Sequence, residues 1–120
     1  MESRQKPNHY ESLRHKGVVG SVVSRDYRTR TIYDRAGLGF IAYVGELEPG
    51  RWGYGYKIYT PDGIDITRLP GEDPAWFESE RDALIYATAH LRNHPEATPD
   101  VIYNANNILS DLLSTSLFEI

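Results

Sequence analysis

Cysteine does not occur in this 120-residue chain. Its absence excludes thiol nucleophiles, iron–sulfur clusters, disulfide staples and any zinc site built on thiolates, and it accords with a reducing compartment. Long apolar runs are missing too. No stretch approaches the ~18 residues needed to cross a bilayer, and residues 1–16 are polar throughout, without the apolar segment of a secretory signal. A cytoplasmic protein with no membrane partner is expected. No serine sits in a Gly-x-Ser-x-Gly elbow, and no Gly-Lys-Ser/Thr phosphate loop is present. Internal repeats and low-complexity segments are likewise absent.

The length gives room for one domain, which at this size buries about two-thirds of its unfolded surface and holds without staples. The net charge of −4 is unevenly divided. Residues 1–35 carry eight Lys or Arg against four acids, and the remaining 85 residues carry five against thirteen. Such asymmetry marks either an anion-binding arm or a basic segment lying across an acidic body of its own chain.

Along the chain, residues 1–16 show no apolar period and contain Pro7 and Asn8, which predicts a flexible or loosely docked basic arm ahead of a single domain over 17–120. Residues 17–23 are a short run of β-branched valines with glycines on both sides of its first pair, and 27–33 alternate with period two, so a hairpin through Ser24-Arg25-Asp26 is expected. Residues 38–47 read as a strand with Phe40, Ala42 and Val44 on one face and Ile41, Tyr43 and Leu47 on the other. Glu48-Pro49-Gly50-Arg51 has the residue order of a type II turn, residues 51–60 return, Pro61-Asp62-Gly63 turns again, and 64–67 form a short third strand. Connections this short make the meander antiparallel.

A loop over 69–74 precedes a helix that Ser79 caps and that Asn93-His94-Pro95 ends. Leu84, Ala87, Thr88 and Leu91 form its stripe. Thr98-Pro99-Asp100 opens a second helix, on which Val101, Ile102, Ala105, Ile108, Leu109, Leu112 and Leu113 recur at helical spacing. The predicted fold is therefore α+β: an antiparallel meander of three to five strands, followed by two helices packed on one face. Leu84, Ala87, Leu91, Ile102, Ala105, Ile108, Leu109 and Leu112 should meet Phe40, Ala42, Val44, Trp52, Tyr54, Tyr56 and Ile58.

Few constellations point to chemistry. His90 and His94 share a helix face, as zinc ligands do, but no third ligand accompanies them, and two solvated histidines in a last turn are the better reading. Acid pairs such as Glu72/Asp73 and Glu78/Glu80/Asp82 fall in turns or at a helix start, where capping and solubility explain them. No catalytic residue, metal or cofactor is implied. Gly37, Gly39, Gly53 and Gly55 are better read as positions of close packing than as a phosphate cradle. With Trp52, Tyr54, Tyr56 and Ile58 forming the core face, the opposite glycine face, bearing Lys57 and Tyr59, should be open.

Gly53-Tyr-Gly-Tyr-Lys-Ile-Tyr59 resembles the RNP1 strand of RNA-recognition domains, which implies base stacking by Tyr54 and Tyr56. It departs from that pattern in having Trp52 where a basic residue stands, Lys57 at an apolar position and a strand rather than a helix before it. Over residues 38–93, the Arg-Trp-Gly-Tyr-Gly-Tyr strand followed by Phe77-x-Ser79-x-x-x-Ala83-Leu84-x-x-Ala87 resembles small accessory proteins encoded on bacterial plasmids, phages and conjugative elements. That resemblance implies an accessory module and assigns no catalytic residues.

The function expected is a non-catalytic binding or regulatory module that engages a protein partner or a second copy of itself. Its candidate interface is the apolar tail Leu117, Phe118 and Ile120. The alternative is nucleic-acid binding through Arg14, Lys16, Arg25, Arg28, Arg30, Lys57 and Tyr59. Cations gathered on one open face would favour that alternative, whereas pairing with Glu46, Glu72, Asp73 or Glu80 would weaken it.

Overall fold

Three tight turns fold residues 28–68 back and forth into one sheet. A computed structural model describes residues 6–16 and 23–118, with side chains placed as far as residue 114. Strands β1 (Arg28–Arg35), β2 (Leu38–Glu48), β3 (Arg51–Tyr59) and β4 (Asp65–Arg68) lie in the order β1-β2-β3-β4, every pair antiparallel. The β1–β2 turn is Ala36-Gly37, both with positive φ (55° and 80°), the mirror-image geometry that suits the strand twist of a two-residue hairpin. Gly50, at φ 79°, takes the position of the β2–β3 turn that an L side chain resists.

The hairpin expected through Ser24-Arg25-Asp26 would lay residues 17–23 along β1; of the described residues there, Arg25 and Asp26 bend ahead of β1 and Ser24 N donates to Pro70 O at 2.8 Å. Residues 17–22, the other half of that expectation, lie outside the described residues.

Helix α1 (Glu80–Arg92) begins where Ser79 Oγ accepts from Asp82 N at 3.0 Å, satisfying one of the helix's orphan donors. Helix α2 (Pro99–Phe118) begins with Thr98 Oγ1 accepting from Val101 N at 3.4 Å. Both helices pack on the sheet face that carries Phe40, Ala42, Val44, Tyr54 and Ile58, and one continuous cluster joins these to Ala83, Ala87, Leu91, Val101, Ala105 and Ile108. α1 is buried on two sides. Tyr86 and Ala87 face the sheet, whereas Ile85 and Ala89 meet Leu109 of α2 in a second cluster.

The core differs from expectation in a few places. Val101 rather than Ile102 is the fully buried residue of the first turn of α2, Leu84 is half-buried, and Trp52 and Tyr56 border the core rather than fill it. Phe77 is wholly buried at its centre, held by a two-way backbone bridge to Trp52 (2.9 and 2.8 Å). The opposite sheet face is not open along its glycines. A Cβ on Gly55 would overlap the Arg68 carbonyl, and one on Gly53 would meet Gly71 N at 3.1 Å, because residues 69–71 cross directly above. Only hydrogen atoms leave that chain room.

Candidate binding surfaces

The basic segment ahead of the sheet is tied to the body. Over residues 6–16 its anchors are mostly polar, which is why no apolar period announces them. Asn8 Nδ2 donates to Tyr86 O at 3.0 Å, Asn93 Nδ2 donates to Pro7 O at 2.9 Å, and His15 exchanges backbone bonds with Trp76 at 2.9 and 3.1 Å. Tyr10 and Leu13 supply apolar contact with both core clusters. Trp76 is enclosed on two sides, by the His15 ring at 4.3 Å and by the Arg51 guanidinium at 4.4 Å from the ring centroid, a geometry in which the cation meets the electron-rich face.

This docking brings Arg14 to the rim of a cleft of about 430 Å³, lined by Arg14, Tyr54, Tyr56, Arg68, Asp73 and the loop at Glu72 and Pro74. Its floor is the Tyr56–Arg68 pair across β3 and β4. Asp73 organises the wall: Oδ2 accepts from the Tyr54 hydroxyl at 3.0 Å, and Oδ1 accepts from Ala75 N at 2.9 Å and from Arg14 Nη2 at 3.4 Å. Burial, then the Asp73 charge, pushes the Tyr54 hydroxyl's pKa up, so it stays a donor. The Tyr86 hydroxyl donates to Glu11 Oε1 at 2.7 Å, and burial followed by that carboxylate raises its pKa as well. Behind the wall the His90 ring lies 5.0 Å from Tyr56 and 5.7 Å from Tyr54. Burial, reinforced by His94, lowers its pKa to about 4, so it is neutral at physiological pH.

The second surface is the β1 edge. Six of the eight β1 residues are exposed, Ile32 being the buried one. At the Ile32 bulge α2 closes the edge, with Asn104 Nδ2 donating to Ile32 O at 3.1 Å. Below the bulge, residues 28–31 receive no hydrogen bond from outside the sheet among the described residues. There a groove of about 270 Å³ opens between Arg28, Arg30 and Val44 on the sheet and Arg81, Leu84 and Leu112 on the helices. Glu80 Oε2 stands 3.4 Å from Arg28 Nε, and Arg81 Nε donates to Leu112 O at 3.1 Å.

The residues singled out as nucleic-acid contacts fall on three separate surfaces. Arg14 and Lys16 belong to the docked segment, Arg28 and Arg30 to the helix side of the β1 edge, and Lys57 and Tyr59 to the opposite face of β3. Arg25 is exposed in the bend before β1. Arg14 pairs with Asp73 and Arg28 with Glu80, the outcome set out as unfavourable to that alternative. Tyr59 lies across Gly39 with its hydroxyl donating to Asp34, and Tyr54 is 6 % exposed, so neither presents a free ring for stacking. Leu117, Phe118 and Ile120 lie outside the residues whose side chains are described. His94 accepts from Glu96 N at 3.1 Å through Nδ1 and meets Phe40 edge-on. Among the described residues no three His, Asp or Glu side chains come together as a metal ion would need, and no helix is long and apolar enough to cross a membrane.

Set against protein-family models, curated proteins and solved structures, the chain matches none. The cleft and the β1 edge must therefore be interpreted from their own chemistry.

Proposed function

We propose that the protein is a non-catalytic binding module whose basic edge strand, β1, takes up an extended acidic segment of a partner protein. The observation that carries this reading is the state of the edge at residues 28–31, exposed and unpaired among the described residues beside a groove. An open strand edge offers backbone donors and acceptors that another strand can complete. The side chains there select the sign of the partner: β1 bears Arg28, Arg30 and Arg35 against one acid, Asp34, and Arg81 adds a cation from α1.

A second copy is a poorer occupant than a different protein. Antiparallel pairing of the free stretch 28–31 with its own copy would bring Arg28 opposite Arg30, and like charges placed opposite one another destabilise a ladder. Nucleic acid is also a poorer occupant, since its backbone cannot complete a β-ladder and the candidate cations are dispersed over three surfaces. Glu80 holds Arg28 at an ion-pair distance in the free protein, so the partner's carboxylates would replace an existing counter-charge.

Fluorescence anisotropy with three labelled probes tests the reading: an eight-residue alternating Val-Glu peptide, its Val-Lys counterpart and a 20-nucleotide oligo-dT. The acidic peptide should bind, and less tightly as salt rises. Arg28→Glu with Arg30→Glu should weaken it about tenfold or more, two charge pairs being lost. Binding of oligo-dT without binding of the acidic peptide would replace this reading with the nucleic-acid one. Equal binding of both peptides would remove the charge argument.

A further inference from the structure

The cleft at the opposite edge of the sheet carries a separate inference, because Arg14 and Arg68 both border it and Arg68 has no acidic partner among the described residues. Helix packing is concentrated on β1, β2 and β3, so at β4 the helix-side face of the sheet is left as an open floor, where Tyr56 and Arg68 lie side by side. The acids of the wall are engaged within the fold. Both oxygens of Asp73 accept hydrogen bonds, and Glu72 accepts from Leu69 N. The cations are not engaged to the same degree. Arg14 reaches Asp73 at 3.4 Å and Glu11 at 3.7 Å, both longer than the ~2.7–2.9 Å of a strong charge-assisted bond. Arg14 Nε is buried with no hydrogen-bond partner, and the Arg68 side chain makes no hydrogen bond or ion pair among the described residues. Arg14 Nε is thus a buried donor left unmet among the described residues, which carries a free-energy cost, and Arg68 brings a second, exposed cation to the same cleft.

We infer that the cleft binds a small planar organic carboxylate, its oxygens taken by Arg14 and Arg68 and its flat body laid against Tyr56. A guanidinium fork matches the spacing of two carboxylate oxygens. The volume of about 430 Å³ exceeds what a bare anion needs and falls in the range of small-molecule sites. Tyr56, half-buried and backed by the His90 ring at 5.0 Å, supplies the aromatic floor. Because Arg14 belongs to the docked segment, the ligand bridges that segment and β4, and should slow backbone amide exchange in residues 6–16.

Benzoate is the probe. Titrated into the full 15N-labelled chain, it should give saturable shifts at the amides of Tyr54, Tyr56, Arg68 and Asp73. Arg68→Gln, at an exposed position that leaves the core untouched, should raise the dissociation constant about tenfold or more. Lys57→Gln, on the far face of β3, should leave it unchanged. Inorganic phosphate separates planar from tetrahedral anions: phosphate binding at these amides without benzoate binding would overturn the carboxylate assignment. Absence of saturable benzoate shifts, or shifts indifferent to Arg68→Gln, would overturn the site.

Discussion

Acidification should weaken the fold through His90, by an amount that can be worked out. The ring is enclosed by Tyr54, Tyr56 and Tyr86, at 5.7, 5.0 and 6.5 Å between centroids. Burial opposes its protonation most, His94 and Arg14 add to that, and the carboxylates of Asp73 and Glu11 favour it, leaving the pKa at about 4 against 6.5 in the unfolded chain. Between those values the unfolded chain takes up a proton that the folded one refuses. Stability therefore rises with pH across the window, is complete above pH 6.5, and is lost as pH falls towards 4. The slope approaches about 1.4 kcal/mol per pH unit, and the whole effect is on the order of 3 kcal/mol. Urea unfolding followed by the fluorescence of Trp52 and Trp76, from pH 7.5 to 4.5, gives the profile. Carboxylates and His94 titrate as well, so the decisive quantity is the difference from His90→Phe, which keeps an aromatic ring in place. The parent should lose stability more steeply than the variant below pH 6.5. Parallel profiles, whatever their vertical offset, would refute the argument that burial holds His90 neutral.

Other expectations concern the scaffold. Deleting residues 1–16 strips Glu11 from the Tyr86 hydroxyl and Arg14 from Asp73 and exposes core bordered by Tyr10 and Leu13. With ~1–3 kcal/mol for each orphaned buried group, the urea midpoint should fall clearly, and an unchanged midpoint would show the segment to be energetically separate. Gly55→Ala should destabilise by about 1–3 kcal/mol or more by forcing β3 away from the Arg68 carbonyl; a neutral result in thermal unfolding would mean that the crossing chain at 69–71 yields freely. Ser79→Ala should cost about 1 kcal/mol in the same assay, through loss of the bond to Asp82 N.

The parts of this molecule that were legible in the sequence are those encoded by local chemistry. Pro49-Gly50 and Asp62-Gly63 mark their turns, Ser79 and Thr98 mark their helix starts, and Phe40, Ala42 and Val44 alternate as a half-buried strand must. The remainder is encoded by contacts between distant residues. The β1–β2 turn is not legible in the sequence because Ala36 adopts a positive φ that alanine rarely takes. Phe77 and Trp76 sit in an aperiodic stretch, so nothing in their spacing announces that one is the centre of the core and the other the clasp for His15. The docked segment is held largely by Asn8, Glu11 and Arg14 rather than by an apolar stripe, and a search for hydrophobic period passes over such anchors. The cleft combines Arg14 with Asp73, 59 residues apart, and no spacing rule joins them. The Gly53 and Gly55 spacing points to close packing, but only the fold shows that the chain packed on them is residues 69–71 of the same molecule.

Amide hydrogen exchange across the sheet, with and without the acidic Val-Glu peptide, tests the central claim most directly. If β1 takes up an extended partner, amides on its outer side between Arg28 and Thr31 should gain protection as the peptide saturates, while the short opposite edge at β4 stays unchanged. Protection confined to β4, or none on β1 at saturating peptide, would contradict it.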